Sequence, residues 1–266
     1  MTGGLGLLAI YGPHMQTGPK AERLTSLARS QVNHIRLQRP GQDTVTLRRE
    51  GRNWHVTAPI TARANPIRAA ALASLAGASS NIVYATTAIR PDALGLGATA
   101  LVLHLNDISL RIGTREEVRD LRYVQNAGRV FLVQDRFYHH VSATTAGFVD
   151  PVLIDPTRRI ASVRTPRFEL ESTESGLRWR PQTAFASADD AAAWLARWHS
   201  LSALAVSFAD YSAKWHPAMT VRFESGHSEQ FVYRSAHGRV WIAQPEVDLQ
   251  YEIPTSRAKA LGLVKP

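Results

Sequence analysis

The feature that most constrains this chain is an internal echo. The stretch VNHIRLQRPGQDTVTLRREGRNWHVTAP, Val32 to Pro59, returns in degenerate form as IASVRTPRFELESTESGLRWRPQTA, Ile160 to Ala184. Each copy has short runs of alternating apolar residues, a polar turn with glycine, and a lone tryptophan, Trp54 or Trp179. A segment of small residues follows each, then strand-like runs, then GRVFLVQD (Gly128 to Asp135) or GRVWIAQP (Gly238 to Pro245). Alternation at a period of two buries one face of a strand, whereas runs of small residues at helical spacing cover a sheet. The expected fold is therefore α+β: two tandem similar modules, each an antiparallel sheet with a packed helix. Residues 1–20 read as an apolar start and linker, 21–156 as the first module, and 157–266 as a second, degenerate copy. The break falls at Asp155-Pro156.

In the first copy, Ala21 to Ser30 reads as a short helix. Strands follow over Val32–Gln38, Thr44–Arg49 and Asn53–Ala58. Asn65 can cap a helix whose first residue is Pro66, with Ile67, Ala71, Leu75 and Ala78 on the packing face. Ile82–Thr86 is a strand and LGLG, Leu94 to Gly97, a loop. Leu101–Leu105 and Ile108–Ile112 form a hairpin turning at Asn106-Asp107, and Arg122–Gln125 with Val130–Gln134 another. The second copy offers strands over Val163–Leu170 and Leu177–Arg180, then a helix opened by Asp189-Asp190. Its Trp194, Leu195, Trp198 and Leu201 form a core stripe. Strands over Ala205–Phe208, Met219–Phe223, Glu229–Arg234 and Val240–Ala243 and a short helix over Thr255–Leu261 complete it.

The residues exclude several chemistries. Of 266 residues, 44% are apolar, enough for a real core. There is no cysteine, so disulfides, thiolate metal sites and cysteine nucleophiles are all ruled out. GGLG and GLG lack the Lys-Ser/Thr of a phosphate-binding loop, and no G-x-S-x-G or H-E-x-x-H occurs. His139 and His140 are adjacent, which on a strand points them to opposite faces, away from a shared metal. Glu116, Glu117 and Asp120 lie among Arg115, Arg119 and Arg122 as a solvated helical turn of ion pairs. No catalytic residue, metal or cofactor is expected. The net charge of +9 comes mostly from scattered arginine. Its densest groups are Arg48, Arg49 and Arg52 beside Trp54, and Arg111, Arg115, Arg119 and Arg122.

The order of features resembles the family known as domain of unknown function 4340. The matching pieces are Ile35 to Pro59, the LGL of Leu94 to Leu96, the hairpin Leu101 to Gly113, Tyr123-Val124, and Val130 to Val133. The likeness covers roughly residues 32 to 155. In the second copy LGL is missing and YSAKWHPA, Tyr211 to Ala218, stands instead. The resemblance implies an uncharacterised bacterial protein, N-terminally anchored, serving transport or gliding-type membrane systems from the outer side of the inner membrane. The apolar GGLGLLAIYG, Gly3 to Gly12, is too short to span a bilayer, which takes about 20 residues. It reads as the tail of an anchor, or else as an unstructured start or a strand on the body.

The expected function is that of a non-enzymatic, envelope-facing accessory or binding protein of an ABC-transport-like membrane system. Its partners would be transporter subunits. The expected location is the periplasmic side of the inner membrane, with a cytoplasmic one left open. Arg111, Arg115 and Tyr123 around the first hairpin, with Trp215 in the loop replacing LGL, are the candidate partner contacts. The alternative is a soluble polyanion- or nucleic-acid-binding module that uses the arginine surface. A hydrolase assembled from dispersed residues is a third reading, favoured by a pocket of convergent histidine and carboxylates.

Overall fold

The computed structural model describes residues 21–264. The apolar start and linker expected over residues 1–20 lie outside the described residues. The first part of the chain runs through β1 (Glu22–Arg23), β2 (His34–Gln38), β3 (Val45–Glu50), β4 (Asn53–Ala58) and β5 (Ala62–Arg63) into helix α1 (Pro66–Ser74). It continues through β6 (Ser79–Ser80), β7 (Val83–Ala85), β8 (Leu101–Leu105), β9 (Ile108–Glu116), β10 (Leu121–Asn126) and β11 (Arg129–Gln134) to the short helix α2 (Tyr138–Val141). The later part contains β12 (Ile160–Arg164), β13 (Glu169–Thr173), β14 (Gly176–Arg180) and helix α3 (Ala188–His199). It ends with β15 (Ala205–Phe208), β16 (His216–Phe223), β17 (Ser228–Ala236), β18 (Arg239–Gln244), β19 (Leu249–Ile253) and helix α4 (Thr255–Ala260).

The architecture is α+β, with antiparallel pairing throughout the described strands. A nine-stranded sheet has the order β5-β4-β3-β2-β8-β9-β10-β11-β7, and an eight-stranded sheet the order β14-β13-β12-β16-β17-β18-β19-β15. Setting β5 aside, the two orders follow the same path through the chain. A three-stranded meander comes first and a helix follows. A strand then crosses to the far edge, and the next four run back from that meander's first strand. By this path β11 stands where β19 stands. The echo of GRVFLVQD in GRVWIAQP thus joins strands one place apart. Its cause is local: both sit behind similar tight turns, with Ala127 and Gly128 at φ 45° and 74° and His237 and Gly238 at 50° and 73°. Two such positive φ values suit a two-residue hairpin in a twisted sheet. Matching the echoes uses up the last place too early, so β19 goes unforeseen from sequence.

Other local expectations are corrected by side-chain chemistry. Ala21 to Ser30 is not a helix. The Leu24 amide donates to the Ala78 carbonyl and the Thr25 hydroxyl to that of Ala76, at 2.8 and 2.6 Å, tying the segment to β6. Asn65 caps α1 as expected, accepting from the amides of Ile67 and Arg68 at 3.1 Å each. The buried face, however, is Ala69, Leu72 and Ala73, continued by Leu75 and Ala76, whereas Ile67 is 71% exposed. Alanines make two stripes of this helix apolar, and Leu72 decides between them. The expected strand Val163–Leu170 is instead two strands. The Thr165 hydroxyl accepts from the amides of Arg167 and Phe168, and Pro166 has no amide to give to a ladder.

The core is continuous across both sheets. Ile35, Leu37, Leu103 and Leu72 belong to the same cluster as Val221, Phe231, Ile242 and Trp198, with Phe148, Val149 and Ile154 between. The connecting segment is stitched to both. Bridges pair Ala64 with Val149 and Val152 with Ser202. Backbone hydrogen bonds run from Asp150 N–H to the Arg63 carbonyl and from Leu153 N–H to the Leu201 carbonyl, at 2.9 and 3.1 Å.

Candidate functional site

The arginine groups named from sequence separate once folded. Arg49 pairs across the ladder with Trp54 on the α1 side, whereas Arg48 pairs with His55 and is exposed on the opposite face. Arg29, unforeseen from sequence, joins Arg49, Arg52 and Trp54 around an open groove of about 570 Å³. Arg49 is partly spent on backbone, donating to the carbonyls of Gly51 and Ser30 at 3.2 and 3.1 Å.

The four candidate partner contacts do not form one surface. The Arg111 guanidinium donates to the Gly97 carbonyl at 2.8 Å, holding the LGLG loop. Arg111 lies opposite Gln125, so it shares a face with Tyr123, two residues along the same strand. A register shift places Arg115 opposite Arg122 and away from that face, where it pairs with Asp120 at 2.9 Å. Trp215 belongs to the other sheet. The charge run is also no helical turn. Glu116 ends β9, and its carboxylate accepts from the Arg119 amide at 2.9 Å across a turn. That backbone hydrogen bond, with the Arg119 side chain, holds the Glu116 carboxyl below its usual range against the cost of desolvation.

Trp215 is anchored. Its indole N–H donates to the Asp210 carbonyl at 2.9 Å, and its ring lies 5.9 Å from that of Tyr211. Arg234 on β17 lies against both Trp215 and Trp241, at 5.2 and 4.2 Å from their ring centres. Arg234 also donates to Gln250, whose amide donates to the Ser207 hydroxyl. The row spans β15, β17, β18 and β19 and stiffens the outer face of the second sheet. Trp54 and Trp179 occupy matching third strands of the two meanders, both half-buried on the helix side.

The cleft between the sheets gathers the titratable groups. It holds about 420 Å³ and is lined by Arg63, Asp150, Asp155, Arg158, Glu229 and Tyr251, with His227 at its edge. Arg63 binds Asp150 at 2.9 Å and lies 3.9 Å from Asp155. Arg158 pairs with Glu229 and lies over the Phe223 ring at 3.4 Å. Burial works against ionisation of Asp155, yet the Thr157 hydroxyl and amide, with Arg63 and Arg158, hold its carboxyl below the usual range. Burial pushes the Tyr251 hydroxyl well above its ordinary value, so it stays protonated. General acid or base work needs a group free to gain or lose a proton near neutrality. Asp155 is held out of that range, and Asp150 and Glu229 are engaged by Arg63 and Arg158, an arrangement that binds and clamps.

His139 and His140 sit on α2, not on a strand, with ring centres 3.7 Å apart. Among the described residues no three histidine or acidic side chains converge as a metal site would require. No described helix is long and apolar enough to cross a membrane. Comparison with models of protein families, with curated proteins and with solved structures gives no significant match to any of them.

Proposed function

We propose that this chain is a non-enzymatic binding body of two tandem α+β modules, an accessory protein of a bacterial membrane transport system that works on its envelope side. The observation that carries this reading is the shared strand path of the two sheets, the pattern expected of a duplicated scaffold. The resemblance of residues 32 to 155 to domain of unknown function 4340 supplies the membrane context. The paired carboxylates of the cleft between the sheets also favour binding over turnover. The partner surface assigned here is the β15 edge, where Leu204 is 69% and Phe208 42% exposed. These two lie on one side of the strand by alternation, and the exposed Tyr211 follows in the next loop. The protein tagged at its native locus, with its upstream DNA, should recover inner-membrane transporter subunits in mild detergent. Leu204→Asp with Phe208→Asp should abolish that recovery. Recovery of nucleic acid alone, or of nothing, would reject the proposal.

A second reading rests on the groove where Arg29, Arg49 and Arg52 surround Trp54. Cations around an aromatic ring are what a single-stranded nucleic acid needs. A labelled oligonucleotide should then bind with an affinity that falls steeply with salt, and Arg49→Ala with Arg52→Ala should remove the binding. An absence of binding at low salt would discard this reading.

A further inference from the structure

We propose that the cleft between the second sheet and helices α3 and α4 binds a small amphipathic anion: an apolar, preferably aromatic body ending in a carboxylate. The cleft holds about 510 Å³, within the range of about 300–1,000 Å³ usual for small-molecule sites. Its walls are aromatic. Phe168 stands edge-on to Phe185 and Trp194, with ring centres 4.8 and 5.0 Å apart, and Trp194 lies 5.9 Å from Trp198. Tyr233 closes the sheet side. Edge-to-face packing fixes these rings against one another, so the walls exist before a ligand arrives.

The charges at its rim say what the occupant carries. Among the described residues, the lysine and arginine side chains lining the cleft are Arg167 and Lys259, both exposed. Neither forms an ion pair among the described residues, although nine arginine–carboxylate pairs form elsewhere. Among the described residues the cleft therefore offers two unpaired cations at its rim and no carboxylate. At the wall, Trp198 is 1% exposed, and its indole N–H is buried with no acceptor among the described residues. Sealed in this way, the ring adds apolar wall to the cleft rather than a donor. Aromatic walls and a rim of cations together match an apolar acid. They do not match a metal or a basic ligand. The cleft between the sheets differs in just this respect, because arginine already neutralises its acids.

This inference is independent of the transport partner, and the full chain tests it. Titration calorimetry would compare 1-naphthaleneacetate with its uncharged analogue 1-naphthaleneethanol. The acid should bind at least about tenfold more tightly than the alcohol, as charge-assisted hydrogen bonds require. Arg167→Ala with Lys259→Ala, both surface changes, should weaken the acid about tenfold and leave the alcohol unchanged. Equal binding of acid and alcohol would overturn the proposal, as would an unaffected double variant or no binding by either compound.

Discussion

Arg122 and Asp135 are sealed from solvent, with 8% of each side chain exposed, and they meet through two hydrogen bonds of 2.7 and 2.8 Å. Arg122 also donates to the Gly113 carbonyl at 2.7 Å and lies over the Tyr138 ring at 3.4 Å. Sequence placed this arginine in a solvated run, because charge spacing alone cannot show that a bulge turns one member inward. Arg122→Ala strands a buried carboxylate and should cost about 3–5 kcal/mol in urea unfolding, whereas Arg122→Met with Asp135→Leu should recover most of it. Gly113 is constrained differently: a Cβ there would lie 2.2 Å from the Leu94 carbonyl oxygen. Gly113→Ala must push the LGLG loop off β9, and a loss of about 1–3 kcal/mol is expected. Histidines set the response to pH. Burial, more than any nearby charge, lowers the values of His104, His140 and His199 from 6.5. The unfolded chain then binds more protons than the folded one just below that value. Stability should be level above about pH 7 and decline as pH falls through 6.5 and below. Urea midpoints measured from pH 8 to pH 5 would check the direction, and a rise on acidification would contradict it.

At the scale of elements, the third strand of each meander and both main helices were legible in the sequence, because each carries its own punctuation. Asn65-Pro66 opens α1. Ser187 caps α3, accepting from the Asp190 amide at 3.1 Å. Asn65→Ala and Ser187→Ala should each cost about 1 kcal/mol, read as a shift in thermal midpoint. The misread elements lacked such marks or carried misleading ones. IRAAALASLAGA offers two apolar stripes, so helix existence was certain and helix rotation was not. Thr165-Pro166 interrupts an apolar alternation that otherwise reads straight through. LQYEI, the strand β19, carries no turn mark of its own, and the GRVWIAQP of β18 takes the closing place that the echo assigns. The aromatic cleft was hidden for a related reason. Trp194 and Trp198 at helical spacing announce a core stripe, and they are core. Only the arrival of α4 and the Thr165 turn leaves space beside them, and long-range placement of that kind has no local signal.

For the whole molecule, one hydrophobic cluster spans both sheets, so unfolding should be a single cooperative event. Near-ultraviolet and far-ultraviolet circular dichroism should melt together. Two resolved transitions would show that the halves are energetically separate. Saturating the aromatic cleft with 1-naphthaleneacetate should raise that one midpoint, in proportion to the logarithm of the ligand concentration.

The stitched connector has a consequence for the halves made apart. Val149 and Asp150 cover the rim of β5, and Val152 and Leu153 cover the run leading into β15. Cutting the chain between residues 155 and 156 would take the connector from the later half and bare backbone donors and acceptors along that run. Bare rims of this kind recruit other strands. Expressed alone, the later fragment should self-associate. Mixed with the earlier fragment, it should return to a one-to-one complex of native mass, each piece serving as the other's missing border.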